Sequence, residues 1–213
     1  MKVIVFGAAG EVGSRMVAEA LSRGHQTTAV VRKPTQFVKL PHAANACAAD
    51  VNDVAEVTRL MRTHDLAISA IRPAEGLEDR LVSLTQSLLD AAATASVRIV
   101  IVGGAASLKM PGNSTTTVLT EPGFLPKSVL PIARACFEQS KLCMAEKRVD
   151  WSYACPPAML SPGQRTGHYR LGSDTLLVDT HGDSVLSMED FAVALLDEAE
   201  KPRHIRTRFT AAY

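Results

Sequence analysis

The sequence predicts an α/β protein built on a doubly wound parallel sheet, with helices on both faces and a small C-terminal extension on the substrate side. Two observations predict this fold class. The chain opens with an apolar strand, a glycine turn and an amphipathic helix, and short apolar segments then alternate with helical patterns. The length of 213 residues, with 46% hydrophobic and 21% charged residues, fits one globular domain over 1–213.

The first of these segments is the most informative one. Val3–Phe6 is a run of apolar residues typical of a strand buried on both faces, and glycines at positions 7, 10 and 13 follow it. From Val12 the apolar residues recur at helical spacing, and Gly24 is placed to end the helix. A strand, a glycine turn and a helix in this order form the context that a dinucleotide-binding fingerprint requires.

Each glycine has a separate purpose in such a turn. Gly7 permits the tight turn, Gly10 lets the backbone approach a pyrophosphate, and Gly13 lets the helix pack closely on the strand. The start of the helix adds free N–H groups and the positive end of its dipole. The cofactor contacts predicted here are Gly7, Ala9, Gly10, Glu11, Val12 and Gly13. The alternative is a tight turn between strand and helix that holds no ligand.

The second predicted strand, Gln26–Arg32, ends in two basic residues, Arg32 and Lys33, with no acidic residue nearby. A site that prefers NAD(H) usually carries an acidic residue there to bind the ribose hydroxyls, whereas an arginine accommodates a 2′-phosphate. A guanidinium binds phosphate through two parallel hydrogen bonds, and a lysine adds a point charge. The predicted cofactor is therefore NADP(H) rather than NAD(H). The alternative is that both residues are solvated surface cations.

The third and fourth strands end in further candidate contacts. A brief strand near Ala46–Ala49 precedes Asp50 and Val51, whose carboxylate and side chain suit an adenine amino group and its ring. The helix predicted over 53–63 has Asn52 or Asp53 as its cap. Asp50 could equally be a capping residue before this helix that needs no ligand, and both interpretations of Asp50 remain open. The fourth strand, Asp65–Ile71, and the fifth both end at the carboxyl edge of the sheet, where ligands bind. The contacts predicted there are Ala70, Ile71, Arg72 and Gly103.

The remaining elements are predicted from periodicity and from helix and strand breakers. They are a helix over 76–96, a fifth strand over 97–102, a loop over 109–131, a helix over 132–148, a sixth strand over 150–155, β-like pieces at 168–171 and 175–179, a helix from Ser187 that stops at Pro202, and a closing strand over 208–213. Ser187 and Asp190 form a capping-box pattern. The long loop contains four prolines and is predicted to be a functional segment such as a lid.

Charge and composition exclude several classes of function. The formal net charge of +1 gives no reason to expect nucleic acid or an anionic membrane as a partner. No apolar run reaches the length of a transmembrane helix, and the first apolar run leads into the glycine turn rather than a signal-peptide cleavage site. The four cysteines lack metal-binding spacing, which favours reduced thiols, no metal site and a cytoplasmic location.

Several stretches resemble the short-chain dehydrogenase/reductase superfamily in its atypical or extended branch. The glycine spacing at 7, 10 and 13 is the form that this branch uses. More narrowly, the sequence is similar to the small NAD(P)H-binding, NADH-flavin-reductase-like family, to which biliverdin reductase B is distantly similar. The stretches that carry this narrower resemblance are V-G-G-A-A-S-L (102–108), D-W-S-Y-A-C-P-P (150–157), S-P-G-Q-R-T-G-H-Y-R-L-G (161–172), S-M-E-D-F-A-V-A-L-L-D-E (187–198) and the terminal R-F-T-A-A-Y.

The resemblance implies a catalytic serine after the fifth strand and a Tyr-x-x-x-Lys pair on the following helix. Ser107 and Lys141 match two of these positions, but Phe137 occupies the tyrosine position. Phenylalanine lacks the hydroxyl that would donate a proton. Lys141 lies one turn from Phe137 and could still hold the nicotinamide ribose. The alternatives are a solvated lysine and, for Ser107, a simple turn or helix cap.

A missing acid is tolerable when the acceptor needs only a hydride. A flavin accepts hydride at a ring nitrogen and can take its remaining proton from water. The resemblance therefore implies an NADPH-dependent oxidoreductase of the flavin-reductase-like type, with a small flavin- or quinone-like acceptor. The predicted contacts are Pro156 with the cofactor and Ser107, Phe137, Pro157 and Met159 with the substrate.

Two other functions and one question of assembly stay open. One alternative is a redox-sensing protein that holds NADP(H) without turnover. The other is an epimerase or ketone reductase with a substitute acid, for which Tyr153, Tyr169 and His168 are the candidates, although each of the three fits a structural role better. The sequence does not decide between a monomer and a homodimer.

Overall fold

A computed structural model describes the backbone of residues 1–213 and all side chains except that of Ser114. The strands are β1 (Lys2–Phe6), β2 (Gln26–Val31), β3 (Asn45–Ala48), β4 (Leu66–Ser69), β5 (Arg98–Val102), β6 (Lys109–Met110), β7 (Asn113–Thr117), β8 (Trp151–Cys155), β9 (Met159–Ser161), β10 (Arg170–Gly172), β11 (Val185–Ser187) and β12 (Thr207–Ala212). The α-helices are α1 (Glu11–Ser22), α2 (Val54–Met61), α3 (Arg80–Ala95), α4 (Leu130–Ala145) and α5 (Met188–Glu200). Short 3-10 helices span Pro34–Lys39, Ala105–Ser107 and Lys127–Val129. Among these described helices, none combines the length and apolar character needed to cross a membrane.

Eight strands form one central sheet in the order β10–β12–β8–β5–β4–β1–β2–β3. Seven of them run parallel, and β10 pairs antiparallel with β12 at one edge. The chain leaves β1 toward β2 and β3 and then returns to β4 on the other side of β1. This confirms the predicted doubly wound sheet, a Rossmann-like fold. The reversal of strand order puts a crevice for a ligand at the carboxyl ends of β1 and β4.

The alternating side chains of the central strands divide the core between the two faces of the sheet. Val3 and Val5 of β1 pack in the layer that contains α1 and α5, with Phe191 of α5 among their neighbours. Ile4 and Phe6 pack in the opposite layer, which contains α2, α3 and α4. Because both faces of the sheet are covered, β1 is apolar along nearly its whole length, as predicted.

The helix boundaries are set by recognisable capping residues. Asp53 caps α2 by accepting from the N–H of Glu56 at 2.9 Å. Ser187 caps α5 by accepting from the N–H of Asp190 at 2.9 Å. After α1, Gly24 has a φ of +78°, the left-handed conformation typical of the residue that follows a helix. These boundaries agree with the sequence-based predictions.

The predicted start of the long helix after β4 is wrong. The sequence predicts it from Gly76, but α3 begins at Arg80. Gly76 has a φ of +81°, which lies outside the helical region. The segment around it forms separate turns instead, in which the N–H of Leu77 donates to Ala74 at 3.0 Å. Leu77 is consequently 44% exposed and does not join the apolar stripe of the helix.

The segment 109–131 is not the structureless loop that the sequence predicts. β6 and β7 form an antiparallel hairpin, with Pro111 and Gly112 between them and a φ of +72° at Gly112. A 3-10 helix follows, and α4 already begins at Leu130. The pattern missed the hairpin because β6 has only two residues and β7 is polar throughout, so neither shows apolar alternation.

Two short strands form a separate small sheet that the sequence analysis also missed. β9 and β11 pair in parallel, with Met159 opposite Val185. Each has three residues, and the partner lies far away along the chain, so no local pattern could predict the pairing. The β-like piece predicted at 175–179 is not a strand and contributes only an isolated bridge between Thr175 and Lys109. The piece predicted at 168–171 overlaps β10.

Candidate functional site

Three backbone segments meet at the glycine turn between β1 and α1. Gly7 has a φ of +80°, and a Cβ atom there would lie 2.5 Å from the carbonyl oxygen of Ala70, directly after β4. A Cβ atom at Gly13 would lie 2.1 Å from the carbonyl oxygen of Gly7. Neither position admits a side chain unless the backbone moves. Gly10 is exposed, and a Cβ atom there would approach Gly7 only to 3.2 Å.

The start of α1 presents free backbone donors to the crevice. Ser14 donates the first hydrogen bond of the helix, to the carbonyl oxygen of Gly10 at 2.9 Å. Among the described residues the N–H groups of 11–13 have no acceptor, and Gly10 has no side chain to cap them. Such donors at a helix N-terminus fit the pyrophosphate of a dinucleotide. Cofactor contacts of Ala9, Glu11 and Val12 are compatible with this geometry and stay predictions.

Charged residues follow two neighbouring strands beside this crevice. Arg32 and Lys33 come directly after β2 and are exposed, as is Asp50 after β3. The backbone N–H and side-chain amide of Asn52 hydrogen-bond to Asp50 and hold the pKa of this carboxyl below its usual value. The nearby guanidinium groups of Arg80 and Arg32 lower the pKa of Asp50 further. Two arginines therefore lie within electrostatic range of the Asp50 carboxylate.

Arg80 is a candidate binding residue that the sequence analysis missed. It is the first residue of α3, and its charge influences Asp50. The available signal was a basic residue at the start of a helix that follows a strand. The predicted helix start at Gly76 placed Arg80 inside the helix instead. Capping of α2 belongs to Asp53, so the interpretation of Asp50 as the cap of this helix is wrong. Val51 is half-buried against the core.

The end of β5 is shaped by Tyr153 of β8. A Cβ atom at Gly103 would lie 2.1 Å from the Tyr153 ring, and one at Gly104 would lie 2.8 Å from the sulfur of Cys136. The Tyr153 hydroxyl accepts from the N–H of Gly104 at 3.2 Å and lies 3.0 Å from the carbonyl oxygen of Cys136 and 3.1 Å from Gln139 Oε1. Burial raises the pKa of this phenol well above its usual value. Tyr153 therefore fastens β8 to α4 and is not available as a substitute acid.

The other two candidates for a substitute acid are engaged elsewhere or exposed. The Tyr169 hydroxyl donates to Asp197 in the C-terminal half of α5, and burial together with this hydrogen bond raises its pKa. Helices of a doubly wound sheet run antiparallel to its strands, so this half of α5 lies toward the amino edge, away from the glycine turn. A cavity of about 200 Å³ lies there, between Tyr169, His204 and Phe209, and no predicted cofactor contact lines it. His168 is exposed.

The hydroxyl of Ser107 is shielded from solvent. Ser107 ends the 3-10 helix after β5 and is 7% exposed. Among the described residues its hydroxyl has no oxygen or nitrogen partner, and the thiol of Cys155 lies beside it. Its carbonyl oxygen accepts from Arg208 at 3.0 Å. The predicted contact of Ser107 with a substrate therefore requires that this hydroxyl become accessible.

The Phe137 face of α4 has the arrangement that the spacing predicts. Lys141 Nζ donates to Glu138 Oε2 at 2.8 Å and lies 5.8 Å from the centre of the Phe137 ring. Phe137 is half-buried, whereas the side chains of Lys141 and Glu138 are 60% and 54% exposed. An exposed ion pair of this kind is worth only about 0.3–0.5 kcal/mol. Lys141 can therefore exchange Glu138 for a ribose hydroxyl at little cost.

The segment after β8 adds apolar surface. Pro156 is half-buried and Pro157 is buried, while Met159 is 61% exposed. Val185, opposite Met159 in the small sheet, is 37% exposed. Two neighbouring apolar side chains thus remain accessible a few residues beyond the carboxyl end of β8. The contacts of Pro157 and Met159 with an acceptor stay predictions: Met159 is accessible for such a contact, whereas Pro157 is buried.

The stretch 161–172, one of those that carry the family resemblance, is fastened by the buried carboxylate of Asp190. This carboxylate accepts from the N–H and hydroxyl of Thr166, from the N–H of Gly167 and from the hydroxyl of Tyr213. Burial raises the pKa of Asp190, but these hydrogen bonds outweigh burial and hold it below its usual value. The reciprocal half of the predicted capping box is therefore not formed, because Asp190 binds this stretch instead of the N–H of Ser187.

Comparison with known proteins agrees with this geometry. The model of a family described as NAD(P)H-binding matches residues 7–202. The protein YwnB of Bacillus subtilis (strain 168) is 35% identical over 213 residues, which cover 99% of this chain and 97% of YwnB. A candidate epimerase from Bacteroides thetaiotaomicron is 38% identical and superimposes with a TM-score of 0.90, covering 100% of this chain and 96% of the other.

A further solved structure is a candidate NADH-flavin reductase from Streptococcus pneumoniae TIGR4. It is 28% identical and superimposes with a TM-score of 0.86 over 100% of this chain and 99% of its own. The family match begins at Gly7, directly after β1, and extends just beyond α5, so that it includes the glycine turn and the carboxyl ends of β2, β3, β4, β5 and β8. This chain therefore belongs to the NAD(P)H-binding family.

Proposed function

We propose that the chain is an NADPH-dependent oxidoreductase that passes hydride to a flavin- or quinone-like acceptor. The observation that carries the proposal is Phe137, a ring without a hydroxyl where related dehydrogenases have a tyrosine. Tyr153 does not replace it, because its hydroxyl is buried and bonded to the backbone. The printed name of the S. pneumoniae relative, which includes NADH-flavin reductase, supports the same chemistry.

The residues of the chain bind and orient in this proposal. When bound, NADPH would supply a hydride for N5 of a flavin, and solvent would supply the proton at N1, so that NADP⁺ and the reduced flavin would be the products. The N–H groups of 11–13 hold the pyrophosphate, and Lys141 leaves Glu138 to bind the ribose hydroxyls. Phe137 and Pro156 confine the two flat rings, with the segment 109–131 as a lid. Alignment and exclusion of water then replace acid catalysis.

The proposed preference for NADPH rests on the basic residues beside Asp50. Arg32→Ala is expected to weaken NADPH binding by about 1.5–3 kcal/mol, or roughly ten- to a hundredfold, and to leave NADH binding nearly unchanged. The reason is that only NADPH carries the 2′-phosphate, to which a guanidinium donates two parallel hydrogen bonds. Arg80→Ala should show the same selectivity. Arg62→Ala, at an exposed arginine directly after α2, is the matched control.

Isothermal titration calorimetry with both cofactors measures this selectivity. Equal affinity of the unmodified protein for NADPH and NADH would contradict the preference. An Arg32→Ala variant whose affinity for NADH falls as much as its affinity for NADPH would show that Arg32 supports the crevice without binding the 2′-phosphate.

Steady-state NADPH oxidation with flavins, quinones and simple ketones tests the proposed reaction. We expect flavins or quinones to be reduced and ketones to be left unreacted, because a reduced ketone needs a proton donor that Phe137 does not provide. Phe137→Tyr is expected to change flavin reduction less than about twofold and to introduce weak ketone reduction, since Ser107 and Lys141 keep their positions. A ketone reduced faster than every flavin and quinone would show that another residue is the acid.

Two competing functions each have an observation in their favour. The B. thetaiotaomicron relative is named as a candidate epimerase, which favours an enzyme with a substitute acid. The shielded hydroxyl of Ser107 favours a sensor that binds NADP(H) without turnover. Intact NADPH binding with no oxidation by any acceptor would identify the sensor. The cytoplasmic location is a further prediction, which fractionation checks. Light scattering decides between the monomer and the homodimer.

A further inference from the structure

Many arginines of this fold are neutralised by carboxylates. Ion pairs hold Arg15, Arg23, Arg98, Arg148, Arg165, Arg206 and Arg208. Arg72 and Arg134 differ from these. Both are exposed, and among the residues with described side chains neither guanidinium has an ion-pair or hydrogen-bond partner. An unneutralised guanidinium is well suited to bind a carboxylate or phosphate.

Arg72 lies where β4 ends at the crevice. The preceding residue, Ile71, is in contact with the glycine turn, since a Cβ atom at Gly7 would lie 3.1 Å from its nitrogen. β4 and β5 are paired neighbours, with Ser69 opposite Ile101, so Arg72 lies beside the segment that follows β5. Burial raises the pKa of the Cys136 thiol to about 11, and the Arg72 charge opposes this rise. Cys136 in turn packs against Gly104 at the end of β5. Arg72 is therefore on the side of the crevice that α4 closes.

Arg134 lies on the same helix as Phe137, three residues before it. Positions three and seven residues apart share a helix face, so Arg134, Phe137 and Lys141 are neighbours on α4. Arg134 is closer than Phe137 to the start of α4, which lies toward the carboxyl edge of the sheet. Arg134 is thus the guanidinium on the Phe137 face of α4, and Arg72 follows β4 on the same side of the crevice.

We propose that Arg72 and Arg134 bind an anionic arm of the acceptor, which makes the acceptor a flat ring system that carries a carboxylate or phosphate group. The inference rests on the proposed function, since it specifies which acceptor the same site takes. The arm neutralises the two guanidinium groups while the ring lies against Phe137. In this arrangement Arg72 contacts the acceptor. The sequence analysis predicts instead that Arg72, which follows the fourth strand, contacts the cofactor.

Flavin mononucleotide and riboflavin provide the test, because they share one ring system and differ in a phosphate group. At saturating NADPH we expect the KM for riboflavin to exceed that for flavin mononucleotide at least about tenfold. Arg72→Met and Arg134→Met should each bring this ratio close to one. Arg62→Met, which removes an exposed arginine at the end of α2, toward the amino edge of the sheet, should keep it. Added salt should raise the KM for flavin mononucleotide more than that for riboflavin.

Several outcomes would overturn the inference. They are a ratio near one in the unmodified protein, a ratio that survives both substitutions, and an Arg72→Met variant in which only the KM for NADPH rises. If neither flavin is reduced, the proposed function fails, and flavin fluorescence then measures binding of both flavins to the NADP⁺ complex. Tighter binding of flavin mononucleotide that Arg72→Met abolishes supports the inference without turnover, and equal binding refutes it. Circular dichroism establishes that each variant is folded.

Discussion

Gly10→Val is expected to lower the affinity for NADPH at least about a hundredfold, or roughly 2.7 kcal/mol, while the chain stays folded. Gly10 is exposed and has extended backbone angles, φ −78° and ψ 170°, which valine adopts readily. A Cβ atom there comes no closer than 3.2 Å to Gly7, so the turn needs little adjustment. The added methyl groups would occupy the space through which a pyrophosphate approaches the N–H groups of 11–13.

Gly13→Val is the informative comparison, because it should act on folding. A Cβ atom at Gly13 would lie 2.1 Å from the carbonyl oxygen of Gly7, so α1 would have to move away from β1. Overpacking of this kind typically costs about 1–3 kcal/mol or more. Gly13→Val should therefore destabilise the fold, whereas Gly10→Val should not. Calorimetry and thermal unfolding separate the two effects, and unchanged NADPH binding in Gly10→Val would mean that the turn is only structural.

Glu198→Gln is expected to lower the free energy of unfolding by about 3–5 kcal/mol, the usual cost of breaking a buried ion pair. Glu198 is 4% exposed and pairs with Arg98 at 2.7 Å. The same carboxylate accepts from the hydroxyl of Ser152, from the N–H groups of Arg203 and His204, and from the His204 ring. It thus joins α5, β5, β8 and the segment that leads into β12. A neutral amide leaves the guanidinium of Arg98, itself largely buried, without a counter-charge.

Glu138→Gln is the matched control, because it removes a carboxylate from an exposed pair with Lys141. Its effect on unfolding is expected to stay below about 0.5 kcal/mol. Chemical denaturation of both variants measures the contrast. Equal losses in the two variants would contradict the structural role assigned to Glu198.

The stability of the protein should also depend on pH through Glu198. Burial raises the pKa of this carboxyl, but hydrogen bonds from the His204 ring and from the N–H groups of His204 and Arg203 outweigh burial and hold the pKa below its usual value. Because the folded-state pKa is the lower one, the ionised group stabilises the fold above the normal carboxyl range. This contribution disappears as the pH falls through the folded-state pKa. Between about pH 7 and pH 3, the unmodified protein should therefore lose more stability than Glu198→Gln.

Local patterns in the sequence were sufficient to predict those elements whose apolar spacing, glycines and helix ends lie within one contiguous segment. The strand, glycine turn and helix from Lys2 to Ser22 follow from apolar runs, glycine positions and a helix end at Gly24. The doubly wound parallel class of the sheet follows from the alternation of strands and helices. The NAD(P)H-binding family could be predicted for the same reason: its fingerprint is contiguous in the chain.

Contacts between distant segments could not be predicted in this way. Arg80 lies beside Asp50 only because α3 starts four residues after Gly76, and Tyr153 is excluded as an acid only because β8 packs against Gly104 and α4. The hairpin β6–β7 and the β9–β11 pair are too short for a periodic signal. The sequence by itself determined the fold class, the glycine turn and the absence of a tyrosine at Phe137. The tertiary structure decided which hydroxyls are buried and which arginines lack a counter-charge, because both depend on residues that pack together from far apart in the chain.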